Sequence, residues 1–313
     1  MYLPSVRAWL SRVFSRLASP EPGDGSDLDA LAVGPVAGSR LPANPSVMHW
    51  NPSRLLVAQH LWGDGYVTAG GGGEARHLIT PIGLSSAATV LLLGAGAGGV
   101  AALMVSEFGT WVVGYEADPE LQAAAVEHLR VAGSAVTKRA TVELFDPLAP
   151  QFRSNFCHHA VVLDAIRTTP IEPFLGAVSL ALKAHGQLVI AEFVAAAPLD
   201  LSDPAIAAWC RLEGRSPGLY SEAAITRALA GLGFDVRVVE DISARHMQLA
   251  LHGWKELVRS LGGAKPSTPE AAAIVHEAEL WTRRIRLMHS GAIRLVRWHV
   301  LGAVHAKVTL EPN

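Results

Sequence analysis

The chain has 313 residues, half of them hydrophobic and 17% charged, with 26 basic against 28 acidic side chains and a formal net charge of −2. That balance excludes nucleic-acid binding driven by a general positive field, and the apolar content excludes disorder along the whole chain. Two cysteines, Cys157 and Cys210, are too few for a disulfide framework or a thiolate metal cluster, which points to a reducing, cytoplasmic setting.

Residues 1–18 place Leu3, Val6, Leu10, Val13, Phe14 and Leu17 at helical spacing, with Arg7, Arg12 and Arg16 between them and no acidic residue. This spacing predicts an amphipathic helix with three open uses: docking on the main body, peripheral contact with an anionic membrane, or a targeting presequence. Residues 19–46, rich in Pro, Gly, Ser and Asp, read as a flexible linker, so the folded domain is expected over 47–313. From Leu78 to Ser106 no residue carries a formal charge. Pro81, Gly83 and the glycines after Leu93 break that run into a buried strand, a turn and a helix, which fits better than a membrane span.

Strands are predicted at Thr89–Leu93, Trp111–Tyr115, Thr141–Leu144, Ala160–Leu163, Gln187–Glu192 and Asp235–Glu240. Helices are predicted at Val100–Glu107, Pro119–Val131 and Ile171–Ala184, and from a Ser221 cap to Leu232. Such alternation is the signature of an α/β, doubly wound, Rossmann-like sheet. Ligands in such sheets bind outside the carboxyl ends of the strands. The remaining segments, 47–86, 195–218 (irregular) and 242–300 (helical periodicity around Trp254, Trp281 and Trp298), are natural lid elements over that edge.

Three strand ends carry a nucleotide-like constellation. Gly94, Gly96 and Gly98 follow the first strand, Glu116 ends the second about 20 residues on, and Asp146 follows the third. Bare backbone admits a close ligand, a carboxylate accepts ribose hydroxyls, and an aspartate accepts from an adenine amine. NAD(P) and other adenosine ligands both satisfy this chemistry.

The Gly-x-Gly-x-Gly turn, Glu116 and Asp146 resemble class I S-adenosylmethionine-dependent methyltransferases. So do Val162-Leu163-Asp164-Ala165-Ile166, Leu182-Lys183-Ala184-His185-Gly186, Tyr220-Ser221-Glu222 and Gly233-Phe234-Asp235, in that order. The resemblance implies a seven-stranded sheet, S-adenosyl-L-methionine as cofactor and a small-molecule acceptor. One position departs from it: Leu92 stands where the family carries an acidic residue.

Trp62-Gly-Asp-Gly-Tyr66-Val67-Thr68-Ala-Gly70-Gly71 is similar to the segment preceding the first strand in phosphoethanolamine N-methyltransferases. That similarity implies cofactor contacts from Val67 and Thr68, and substrate contacts from Trp50, Trp62, Tyr66 and Thr168. Arg215 and Arg284 fall where such enzymes hold phosphate, a task suited to guanidinium geometry. The family's catalytic Tyr and His are replaced by Trp50 and Thr168, neither of which takes a proton near neutral pH. His49 and Asp164 are the remaining candidates for acid–base or orienting work. His158 and His159 are adjacent and face opposite ways in a strand, so no metal site is expected. A relative that binds cofactor without catalysis is the competing expectation, and an NAD(P)-dependent oxidoreductase the third.

Overall fold

A computed structural model describes residues 3–18, 50–166, 169–213, 218–261 and 266–302. In chain order the elements are α1 (Leu3–Ala18), α2 (Pro52–Trp62), α3 (Gly71–Ile79), β1 (Thr89–Leu93), α4 (Gly99–Phe108), β2 (Trp111–Glu116), α5 (Pro119–Ala132), α6 (Ser134–Thr137) and β3 (Ala140–Leu144). They continue with β4 (Cys157–Leu163), α7 (Ile171–Ala181), β5 (Leu182–Ala195), α8 (Pro204–Glu213), α9 (Glu222–Gly231), β6 (Asp235–Asp241), α10 (Ser243–Ser260), α11 (Thr268–His289) and β7 (Ile293–Leu301).

The strands form one seven-stranded sheet in the order β3-β2-β1-β4-β5-β7-β6. β1 to β5 pair in parallel, while β7 runs antiparallel to both neighbours, β5 and β6. Successive residues of β1 serve opposite faces: Val90 and Leu92 enter one apolar cluster, Leu91 and Leu93 the other. Both faces are covered, so the strand reads as a continuous apolar run. Leu92, fully buried, is part of that core, and its side chain belongs to the packing under α4 rather than to the crevice.

Local signals start and stop the helices. Asn51 and Ser221 cap α2 and α9, and Asp118 accepts from Glu120 N–H and Leu121 N–H ahead of Pro119 in α5. Ser267 and Glu270 form a reciprocal capping box at the start of α11.

A third apolar cluster joins α1, α2, α10 and α11 above the sheet. Val6, Trp9, Leu10, Val13, Phe14 and Leu17 of α1 are buried, and Phe14 stacks on Trp254 with ring centroids 4.5 Å apart. The apolar stripe is thus spent inside the protein, the docking use among those expected. Membrane contact through the same stripe would require α1 to leave this core. Among the described residues no helix is long and apolar enough to cross a membrane.

Two expectations are corrected here. Residues 195–218 contain the helix α8, built on Ile206, Trp209 and Leu212 at helical spacing. The end of the 242–300 stretch is the strand β7, inserted between β5 and β6. The linker expected at 19–46 lies outside the described residues.

Candidate active site

β1 ends at Leu93, and the chain turns at once through Gly94, Gly96 and Gly98, whose φ angles of 72°, 57° and 92° favour glycine. The first and second glycines do different work. A Cβ on Gly94 would stand 2.0 Å from the Leu163 carbonyl of β4, so this glycine serves strand packing. A Cβ on Gly96 would meet Val67 Cγ2 at 3.2 Å, so its bare backbone faces the segment before α3. That segment is fastened to the turn by Gly99 N–H donating to Gly65 O at 2.9 Å and Tyr66 OH donating to Gly99 O at 3.2 Å. Val67 is half-buried over Gly96, and Thr68 is exposed beside it.

Glu116, at the carboxyl end of β2, is buried and holds the turn. Its Oε2 accepts from Gly96 N–H at 2.8 Å, and its Oε1 accepts from Ala117 N–H at 2.8 Å and Asp118 N–H at 3.1 Å. Burial pushes its pKa up to about 7 against the opposing effect of those hydrogen bonds. A carboxylate has about four lone-pair sites, and three are already taken here. One remains, on Oε2 next to Gly96. Asp146 is exposed beyond β3, with Oδ1 accepting from Leu148 N–H at 2.9 Å in a local turn. Gly96, Glu116 and Asp146 therefore stand at or just past the carboxyl ends of the adjacent strands β1, β2 and β3, with Val67 against Gly96.

Asp164 follows β4 at a left-handed φ of 49°, and its N–H donates to Ala191 O at 2.9 Å. Next to it, Glu192 of β5 is buried and accepts from Ile166 N–H at 2.7 Å. Above β5 lies a ring cluster drawn from three elements, of which the sequence singles out only Trp281. His246 of α10 packs edge-on to Phe193 of β5 (centroids 5.6 Å) and tilts on Trp281 of α11 (5.5 Å). Burial and then the Arg284 charge push its pKa down to about 3, so the ring is neutral at physiological pH. Its Nε2 has no hydrogen-bond partner among the described residues.

Arg284 completes the cluster, with its guanidinium 4.5 Å from the Trp281 ring centre and 5.2 Å from that of Phe193. It is buried and donates to Glu213 Oε1 of α8 in an ion pair. Arg284, expected to offer a charge to a substrate phosphate, is paired here with Glu213, a carboxylate that offsets the desolvation of the buried guanidinium. Trp50 and Trp62, expected to touch substrate, are both buried. Trp50 is buried beneath the Arg54 guanidinium at 4.2 Å, and Trp62 packs on Trp281 at 5.1 Å. A second buried pair holds this layer: Arg54 donates to Glu277 Oε2 at 2.7 Å, and Trp281 Nε1 to Glu277 Oε1 at 3.1 Å. His49, Thr168 and Arg215 lie outside the described residues.

Solved structures share this architecture. Phosphoethanolamine N-methyltransferase 2 of Haemonchus contortus, in complex with S-adenosyl-L-methionine, superposes with a TM-score of 0.68 at 19% identity over 80% of this chain. The present chain spans 57% of that protein's length. Geranyl diphosphate C-methyltransferase of Streptomyces coelicolor, in complex with S-adenosyl-L-homocysteine, gives 0.55 at 14% identity over 74% of this chain and 78% of that one. A putative sarcosine dimethylglycine methyltransferase of Galdieria sulphuraria gives 0.58 at 17% identity over 74% and 83%. These likenesses establish the Rossmann-like methyltransferase fold. No protein-family model and no curated protein matches the sequence.

Proposed function

We propose that the protein is a methyltransferase that binds S-adenosyl-L-methionine in the crevice at the ends of β1–β3 and transfers its methyl group to a small, partly apolar acceptor. The observation that carries this reading is the joint placement of Gly96, Val67 and Glu116. Bare backbone, a half-buried side chain and a carboxylate with one open lone pair meet at one point. The glycine turn and Glu116 alone also fit NAD(P), whose pyrophosphate is held by backbone N–H groups at a helix N-terminus; the methyltransferase-like fold favours a sulfonium nucleoside. Neighbours that hold S-adenosylmethionine or its product add support.

Methyl transfer to an electron-rich atom rests on placement, and a base is needed only when the acceptor must lose a proton. The acceptor side is assigned to Asp164 and to the Phe193–His246–Trp281 rings beyond β4 and β5. A neutral His246 hydrogen-bonds an acceptor but is a weak base near pH 7, which suits an amine or an activated carbon better than a hydroxyl. With Arg284 tied to Glu213, a phosphorylated amine has no free cation in this cluster among the described residues. Calorimetry with S-adenosylhomocysteine and NADH tests the cofactor: S-adenosylhomocysteine binding without NADH binding is expected, and the reverse rejects the proposal. A labelled-methyl assay against cell extracts then tests turnover. Cofactor binding without any labelled product would favour the second reading, a silent relative, to which the buried Leu92 and the largely occupied Glu116 carboxylate point.

A further inference from the structure

The opposite edge of the sheet carries a cavity that the methyl-transfer reading does not use. It opens at the amino ends of β1, β2, β3 and β5, encloses about 430 Å³ and is lined by Lys138, Arg139, Arg153 and Lys183 without any acidic side chain. In a chain of net charge −2, four cations around one opening are a local concentration against the overall balance. Elsewhere exposed arginines meet carboxylates, as in Arg76–Glu107, Arg130–Glu127 and Arg259–Glu256. Lys138, Arg153 and Lys183 form no ion pair among the described residues. One wall is Trp111, 46% exposed, with the Arg139 guanidinium 4.8 Å above its ring.

A second observation points to an anion. Thr89 N–H donates to His158 Nδ1 at 2.9 Å, so that nitrogen carries no proton and the neutral ring holds its proton on Nε2. Yet Nε2 faces the Lys183 ammonium at 3.1 Å, and an ammonium has nothing to accept with. Two donors confront each other with no acceptor between them. A phosphoryl oxygen seated beside both would accept from each and relieve the conflict.

We propose that this amino-edge cavity binds a phosphorylated small molecule of nucleotide size, its phosphates held by Lys183, Lys138, Arg153 and the His158 Nε2–H, and its ring laid on Trp111. Strands of five residues separate the two edges by roughly 17 Å, so the site is distinct from the methyl-transfer crevice. The volume suits a ligand of this size.

Calorimetry of the full chain at low ionic strength, with pyrophosphate and uridine triphosphate as probes, tests the proposal. Both probes are expected to bind, with affinity falling as salt rises. Lys183→Met is expected to weaken both by about tenfold or more, the effect of losing one charge-assisted hydrogen bond. Lys138→Ala, at an exposed position, is expected to weaken both at an unchanged melting temperature. Trp111→Ala is expected to weaken uridine triphosphate more than pyrophosphate. Nitrogen-15 spectra should show His158 with its proton on Nε2, shifting as pyrophosphate is added. Absence of binding to the native chain, equal binding by Lys183→Met and Lys138→Ala, or a proton on Nδ1 would overturn the proposal. Tighter binding of a short single-stranded oligonucleotide than of uridine triphosphate would also overturn it and give the face to nucleic acid.

Discussion

The strand ends of β1–β3 and the helical layer of α2, α8, α10 and α11 differ in how they are held together. At the strand ends the contacts are local or follow the strand order: Glu116 accepts from Ala117 and Asp118, and reaches Gly96 twenty residues back. In the helical layer they join distant parts of the chain: Arg54 to Glu277 and Arg284 to Glu213, both buried, and the more exposed Arg245 to Glu74. The first region is a backbone turn with one carboxylate. The second holds buried charges neutralised in pairs, with a neutral histidine among aromatic rings. One consequence is that the stability of the helical layer rests on partners that must be present together.

The largest effect is therefore expected where α8 meets α11. Arg284→Ala leaves the Glu213 carboxylate buried without its cation, and breaking such a pair costs about 3–5 kcal/mol. Chemical denaturation should show that loss. The double variant Arg284→Met/Glu213→Leu, which removes both charges and keeps volume, should recover most of it. If the single variant is as stable as the native protein, the pair is not holding α8 to α11.

At the ends of β1–β3 the main cost should fall on binding. Glu116→Ala removes the carboxylate proposed to meet the ribose together with its three backbone hydrogen bonds to the turn, and we expect S-adenosylhomocysteine to bind about 1.5–3 kcal/mol more weakly by calorimetry, with a lowered melting temperature. Gly96→Val should abolish binding, because its Cβ and methyl groups fill the space under Val67. Normal affinity in both variants would place the adenosine site elsewhere. The two regions should also answer pH with opposite sign. Glu116, raised from its ordinary 4.5 to about 7, takes up a proton on folding, so its contribution to stability falls as pH rises from about 4.5 to 7. His246, lowered from 6.5 to about 3, resists protonation when folded, so its contribution is lost as pH falls from about 6.5 towards 3. Because ribose hydroxyls bind the ionised carboxylate best, S-adenosylhomocysteine affinity should rise about tenfold between pH 6 and 8, in line with the ionised fraction. A flat profile, or the same profile in Glu116→Gln, would remove Glu116 from the ribose.

The same contrast explains what could be read from the sequence. β1, β2 and β3 were legible to within one residue because buried parallel strands are short apolar runs ended by turn residues, and Gly94, Gly96 and Gly98 mark where the chain must double back. β7 looks, in sequence, like part of a helical stretch. Arg294, Arg297 and His299 interrupt its apolar residues, and the alternation itself changes face midway: Ile293 and Leu295 enter one apolar cluster, Val296, Trp298 and Val300 the other. α8 is masked in sequence because Pro204 and the aspartates before it signal a loop, while Ile206, Trp209 and Leu212 carry the helical period. His246, Glu192 and Glu213 had no local signal at all. Each acquires its role from a residue on another element, and only the fold brings those together.

The smallest effect is expected at Asp146. Asp146 is exposed, and one of its oxygens already accepts from Leu148 N–H, so it has two separable tasks: shaping the turn after β3 and receiving an adenine amine. Asp146→Asn keeps an oxygen for the turn and loses only the charge, whereas Asp146→Ala loses both. In a solvated position a hydrogen bond of this kind contributes about 0.5–1.5 kcal/mol. We expect Asp146→Ala to weaken S-adenosylhomocysteine by that amount and Asp146→Asn by less, with no change in melting temperature for either ligand-free variant. S-inosylhomocysteine, which lacks the amine, should bind the native protein and Asp146→Ala equally. If the inosyl analogue still distinguishes the two, Asp146 acts through the turn, and adenine is read by some other group at the edge of β3.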